Sequence, residues 1–226
     1  MNSYEIEIKS LLGGKDKAEA LVSRMKAKDG GLVQSETHKQ LNHYFVGGNL
    51  EDLCKNTEQL IQSQGEKDKF KDIIAKAKKF SVRTADRDKK IMLVVKASID
   101  DTTSENGTAR IEFEPEIKGL TLEELDNLVL KSGFQYQAKW SRERTDYKYK
   151  GASVSIDKNA GYGYLAEFEK VTDDVTLADS IKEELRDMMK DLDVIELAQD
   201  RLERMFAHYN ANWRDYYGTD KIFNIE

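Results

Sequence analysis

Three strand-like segments carry paired acids on a single face, two of them with a base alongside. In Glu5-Ile6-Glu7-Ile8-Lys9, the two-residue period of a strand groups Glu5, Glu7 and Lys9 and turns the isoleucines the other way. Arg110-Ile111-Glu112-Phe113-Glu114 repeats the arrangement, with Arg110, Glu112 and Glu114 together. Leu165-Ala166-Glu167-Phe168-Glu169 sets Glu167 and Glu169 on one face against Ala166 and Phe168. Arg142 and Arg144 share a face in the same way, and Arg83 and Lys96 end short apolar strands. Any one such strand is explained most simply by a sheet with one solvated side. The recurrence of E-x-E pairs weakens that explanation, because two carboxylates two residues apart lie only about 6.5–7 Å from each other along a strand. Such a pair is useful where a cation sits between or beside it. Carboxylate oxygens suit Mg²⁺ or Mn²⁺, and Arg forks and Lys ammonium groups suit phosphate oxygens. A confined space holding both charge sets describes a metal–polyphosphate site, since neither set is tolerable there alone.

The elements that must position these residues follow from pattern and punctuation. Tyr4 to Leu12 alternates as a strand and Gly13-Gly14 breaks it. Ala18, Leu21, Val22 and Met25 recur at helical spacing, giving a helix from Lys15 to Lys28. Gln40 to Val46 reads as an aromatic strand, and Leu50 to about Lys79 as helix interrupted near Gly65. Phe80 to Thr84 and Lys90 to Ser98 read as strands joined by the turn Ala85-Asp86-Arg87-Asp88. Another strand runs from Thr108 to Glu116. Thr121-Leu122-Glu123-Glu124 has the capping-box form that opens a helix. Phe134 to Tyr149 is one long strand or a pair, and a hairpin follows over Ala152–Asp157 and Tyr162–Val171. Leu177 to about Tyr217 is helical. The total is about eight strands with helices between and after them, an α+β architecture. Closing the sheet with its charged face inward gives a barrel of about eight strands, wide enough for side chains and one small ligand.

The bulk numbers exclude several classes. The 226 residues are 35% charged and carry a formal net charge of −6, which is unlike the basic footprint of a duplex-binding protein. Cys54 is the only cysteine, so there is no disulfide framework and no cysteine-based zinc site, and a reduced cytoplasmic setting is the simplest expectation. There is no apolar run of membrane-spanning length and no signal-peptide core. His38, His43 and His208 show no shared metal-ligand spacing and read as structural. Walker, Rossmann and nucleophile-elbow motifs are absent.

Taken in order, these strands resemble the CYTH, or triphosphate tunnel metalloenzyme, superfamily, which includes class IV adenylate cyclases, thiamine triphosphatases and inorganic triphosphatases. Glu5-Ile6-Glu7-Ile8-Lys9 is similar to its E-x-E-x-K signature, and Gln40-Leu41-Asn42-His43-Tyr44-Phe45 to its second-strand Gln…Tyr-Phe pattern. Arg83, Lys96, Arg110-Ile111-Glu112-Phe113-Glu114, Arg142-Glu143-Arg144-Thr145-Asp146-Tyr147, Asp157 and Glu167-Phe168-Glu169 continue the likeness through residues 4–171. The resemblance implies a closed antiparallel eight-stranded tunnel over residues 1–175, with a helical insertion at about 47–79. Residues 176–226 are expected to form a C-terminal helical extension packed on the barrel, either across it, as a plug at one tunnel end or as the support of a homodimer. It implies that Glu5, Glu7, Asp157, Glu167 and Glu169 bind Mg²⁺ or Mn²⁺. Lys9, Arg83, Lys96, Arg110, Arg142 and Arg144 would hold the triphosphate, with Glu112, Glu114 and Lys9 in the catalytic set. The insertion departs from the family's shorter connection and reads as a surface helix pair or a substrate-selective wall. The expected partner is a small triphosphate (inorganic tripolyphosphate, thiamine triphosphate or a nucleoside triphosphate), with no duplex nucleic acid and no membrane. Hydrolysis leads, cyclisation of ATP is the alternative, and a non-catalytic polyphosphate- or nucleotide-binding module is the third class.

Overall fold

A computed structural model of the chain describes residues 4–35, 37–98 and 110–225. The elements are β1 (Tyr4–Gly13), α1 (Lys15–Lys28), β2 (Val33–Gln34), β3 (His38–Gly47), α2 (Leu50–Thr57), α3 (Gln64–Lys76), β4 (Lys79–Arg87) and β5 (Lys90–Ser98). They continue with β6 (Arg110–Phe113), α4 (Leu122–Lys131), β7 (Phe134–Tyr149), β8 (Ala152–Asn159), β9 (Gly163–Thr172), α5 (Ala178–Asp191) and α6 (Gln199–Tyr216). The α+β expectation holds, with nine strands among the described residues and antiparallel pairing. The strand beyond the expected eight is the two-residue β2, which pairs with the end of β7. Among the described residues no helix is long and apolar enough to cross a membrane.

The chain forms two compact units. The first takes the residues up to Lys39 and those from Ser141 onward. Its strands run β1-β9-β8-β7, and one face of them is apolar. Ile6 and Ile8 of β1, Ala166 and Phe168 of β9, and Val154 and Ile156 of β8 pack in one core with Leu21 and Met25 of α1 and Leu185 and Met189 of α5. Because side chains alternate, burying this set turns Glu5, Glu7, Lys9, Glu167 and Glu169 to the opposite face. The β1–β9 end closes tightly at Gly163. Its φ is +72°, and a Cβ there would lie 2.4 Å from the Gly13 carbonyl oxygen, so only glycine fits.

The second unit takes Gln40 to residue 98 and Arg110–Trp140. Its strands run β3-β4-β5-β6. The insertion supplies its roof: Leu53, Ile61, Phe70 and Ile73 are buried, and Phe70 stacks on Phe113 of β6 with ring centroids 4.5 Å apart. The α4 helix opens with the expected capping box, Thr121 and Glu124 each satisfying the other's backbone N–H.

Several boundaries differ from the sequence reading: β6 ends at Phe113 and not Glu116, and residues 108 and 109 of the strand expected there lie outside the described residues. The break in the insertion falls at residues 61–63, and Gly65 sits inside α3 behind the N-cap Ser63. Strand β4 continues to Arg87, and the turn is Asp88-Lys89, both with positive φ of 52° and 71°, as a type I′ hairpin turn requires. The C-terminal helical stretch is two helices, separated by residues 192–198.

Candidate active site

In the first unit, register brings distant acids face to face. Glu7 lies directly opposite Glu169, and Lys9 opposite Glu167. Directly opposed side chains have Cβ atoms about 4.5–5.5 Å apart, where like charges repel. Glu5 is two residues along from Glu7 on the same face, opposite Val171. Lys9 Nζ is 2.7 Å from Glu7 Oε1 and 3.8 Å from Glu167 Oε1. Arg144, opposite Asp157 across β7 and β8, donates from Nε to Asp157 Oδ1 at 2.7 Å and from Nη2 to Oδ2 at 2.6 Å. It also donates to Glu167. Arg142 Nη1 donates to the same Asp157 at 2.9 Å. Asp157, 1% exposed, therefore holds two guanidinium groups in place.

The electrostatics follow from these contacts. Burial disfavours the charged form of Glu167, but Arg144, Lys9 and Arg142 outweigh it and hold the carboxyl well below its ordinary range. Burial likewise disfavours the Arg144 cation, and Glu167 with Asp157 more than compensates. Of the eight charged side chains named, five are carboxylates and three are cations.

Among the described residues no three His, Cys, Asp or Glu side chains converge as a complete metal cage. The opposed pair Glu7 and Glu169 still fits Mg²⁺ or Mn²⁺, because Mg²⁺ is ordinarily held by one or two carboxylates with water and substrate phosphates completing the shell.

The second unit carries a separate row. Arg87 grips Glu114 with two hydrogen bonds, Nη1 to Oε2 at 2.9 Å and Nη2 to Oε1 at 3.1 Å. Arg83 donates to Glu114 at 3.2 Å and to the Tyr44 hydroxyl at 3.0 Å. Lys96 and Glu112, opposite each other across β5 and β6, form an ion pair. Trp140 meets Tyr44 edge-on at 6.4 Å between centroids. The Nε of Arg87 is buried without a partner among the described residues. The backbone of Arg110 lies in β6, but its side chain is outside the described residues.

Burial pushes the Glu114 carboxyl up, while Arg83, Arg87 and Lys96 pull it down to about 2. A carboxylate held that low is a poor proton acceptor at neutral pH, so its contacts favour a strut between two arginines over a catalytic base. Because the folded value is depressed, the stabilisation from Glu114 is complete above the ordinary value of 4.5 and is lost as pH falls toward 2. Thermal unfolding of Glu114→Gln should therefore show a lower Tm at pH 7 and a shallower decline between pH 4.5 and 2 than the wild type. Parallel curves for the two proteins would contradict the strut.

Sequence reasoning missed Arg87 as a site residue. The available signal was Arg83-x-x-x-Arg87, which alternation places on one face once β4 is allowed to run on.

No family model matches the sequence, and no curated protein matches it by sequence. Solved structures share the fold. A conserved hypothetical protein from Pyrococcus furiosus superposes with a TM-score of 0.60 at 20% identity, covering 87% of this chain and 98% of that one. A Pyrococcus horikoshii protein gives 0.60 at 16% identity over 84% and 91% of the two chains. A candidate adenylate cyclase from Vibrio parahaemolyticus gives 0.57 at 14% identity over 88% and 95%. At the level of fold, these matches accord with the resemblance read from the strands.

Proposed function

We propose that the chain is a divalent-metal-dependent triphosphatase of the triphosphate-tunnel type, enclosed in the closed barrel that the sequence resemblance implies. The observation that carries this reading is the opposition of Glu7 and Glu169 with Lys9, Arg142 and Arg144 on the same face. A pure anion binder gains little from carboxylates facing a polyanion; a metal–phosphate site needs both. Glu7 and Glu169, with Glu5 beside them, would hold Mg²⁺ or Mn²⁺. When bound, the metal supplies positive charge at the phosphate oxygens and lowers the pKa of a coordinated water.

The protein's own groups do the rest. Lys9, Arg142 and Arg144 neutralise non-bridging oxygens as charge develops in the transition state. Asp157 and Glu167 keep the guanidinium groups aimed, so little reorganisation is needed during the reaction. Within the second unit, Arg83, Arg87 and Lys96 would offer phosphate oxygens a basic row of their own, braced by Glu114 and Glu112. In hydrolysis a water oxygen bonds to the terminal phosphorus and the bond from that phosphorus to its bridging oxygen breaks. Orthophosphate leaves with diphosphate or a nucleoside diphosphate. The transition state is loose, and positioning with electrostatics supplies most of the catalysis. In each unit taken by itself, cations hold a carboxylate in the ionised form, Glu167 in the first and Glu114 in the second.

The shared fold with the Vibrio candidate adenylate cyclase favours one second reading. In it the ribose 3′-hydroxyl of ATP attacks the α-phosphorus and pyrophosphate departs. Incubation with tripolyphosphate, thiamine triphosphate or ATP, each with Mg²⁺ or Mn²⁺, followed by ³¹P NMR separates the two. Orthophosphate with diphosphate, thiamine diphosphate or ADP supports the triphosphatase. Cyclic AMP with pyrophosphate supports the cyclase. No turnover of any substrate with either metal would leave a binding module and refute catalysis.

A further inference from the structure

Behind the Arg83–Tyr44 pair, on the helix-covered face of the second unit, one carboxylate gathers three strands. Asp126 of α4 is 1% exposed. Its Oδ2 lies 2.7 Å from His43 Nδ1 on β3 and accepts from the Tyr136 hydroxyl on β7 at 2.7 Å. Its Oδ1 accepts from the Thr84 hydroxyl on β4 at 2.5 Å. Lys139 Nζ is 3.9 Å away and lies over the Tyr136 ring. Burial disfavours the charged form, yet the hydrogen bonds from His43, Thr84 and Tyr136 hold Asp126 below the ordinary carboxylate range.

The register shows what this clamp fixes. His43 is directly opposite Thr84, and the next pair along is Tyr44 opposite Arg83. The two pairs point to opposite faces of the sheet. A slip of one residue between β3 and β4 would exchange those faces, carrying Arg83 off the row that holds Glu114. Packing alone does not call for a buried carboxylate here, since an apolar residue of similar volume is often as stabilising. A carboxylate that engages both members of one cross-strand pair specifies register.

We infer that Asp126, through His43 and Thr84, is a positioning residue that sets Arg83 and Tyr44 for the triphosphate. The inference rests on the reading of the site given above. The variants are Asp126→Asn, His43→Leu and Thr84→Val, the last a near-isosteric change that should keep the fold. Titration calorimetry with tripolyphosphate and Mg²⁺ should show each weakening binding, by roughly tenfold for Asp126→Asn and His43→Leu. His43→Asn, which returns a donor near the Nδ1 position, should recover most of the loss. In an Arg83→Ala background Asp126→Asn should add less than about twofold, because the two changes remove the same contact. Wild-type affinity in all three variants, or losses that multiply independently of Arg83, would overturn the inference. If the wild type itself binds no tripolyphosphate, the functional reading fails, and crystal structures then judge the positioning alone. Arg83 displaced from the Tyr44 hydroxyl in Thr84→Val or His43→Leu supports it; a retained contact in both overturns it.

Discussion

Glu7→Gln should lower metal-dependent turnover by roughly two to three orders of magnitude and remove the rise in Tm that Mg²⁺ with tripolyphosphate gives the wild type. Glu7 also touches Lys9, at 2.7 Å. Without its charge, Glu169 is left as a single carboxylate opposite a neutral amide, and one carboxylate holds Mg²⁺ weakly. The fold should survive, because the neighbouring Ile6 and Ile8 keep their burial against α1 and α5. Steady-state kinetics in both metals, with thermal shift as the second readout, check both halves. Retained activity in Glu7→Gln and Glu7→Ala would remove Glu7 from the metal set.

Arg144→Ala should cost stability as well as activity. Arg144 is the shared partner of Asp157 and Glu167, whose side chains are 1% and 14% exposed. Removing it strands two largely buried carboxylates, a change that typically costs about 3–5 kcal/mol. The partial exposure of Glu167 and the remaining Arg142 and Lys9 place this case near about 3 kcal/mol. The pH dependence fixes the mechanism. Glu167 is depressed in the native wild type, so its stabilisation is complete above the ordinary glutamate value and is lost as pH falls through the depressed one. The variant has less of that stabilisation to lose. The gap in unfolding free energy between wild type and Arg144→Ala should therefore be widest at pH 7 and narrow below about pH 4.3, as measured by urea denaturation. A gap independent of pH would show that the loss comes from packing and not from the stranded charges.

Much of this site was legible in the sequence because alternation is local. The period of two groups Glu5, Glu7 and Lys9, and separately Glu167 with Glu169, without knowledge of any partner strand. The opposition of Glu7 to Glu169 was not legible, since β1 and β9 lie more than a hundred residues apart and register is a tertiary property. The same holds for the hydrogen bonds that Arg142 and Arg144 both donate to Asp157, a residue that the resemblance assigns to the metal set.

Arg87 was hidden for a local reason. Ala85-Asp86-Arg87-Asp88 is polar enough to read as a turn, and the actual turn uses Asp88 and Lys89 with positive φ in place of the Asn-Gly that usually announces it. Gly65 misled similarly: the start signal of α3 was Ser63 with Glu66 three residues on, and the glycine sits harmlessly in the first turn. Asp126 offered no signal, being one more polar residue on a helix until three strands converge on it.

The central claim, that opposed carboxylates and adjacent cations form one metal–triphosphate site, is tested most directly by diffraction from crystals grown with Mn²⁺ and a non-hydrolysable imido analogue of tripolyphosphate. The expected result is an anomalous Mn²⁺ peak at the carboxylates of Glu7 and Glu169, with the analogue's oxygens contacting Lys9 and Arg144. Manganese bound elsewhere, or the analogue on an outer surface away from these residues, would contradict the account.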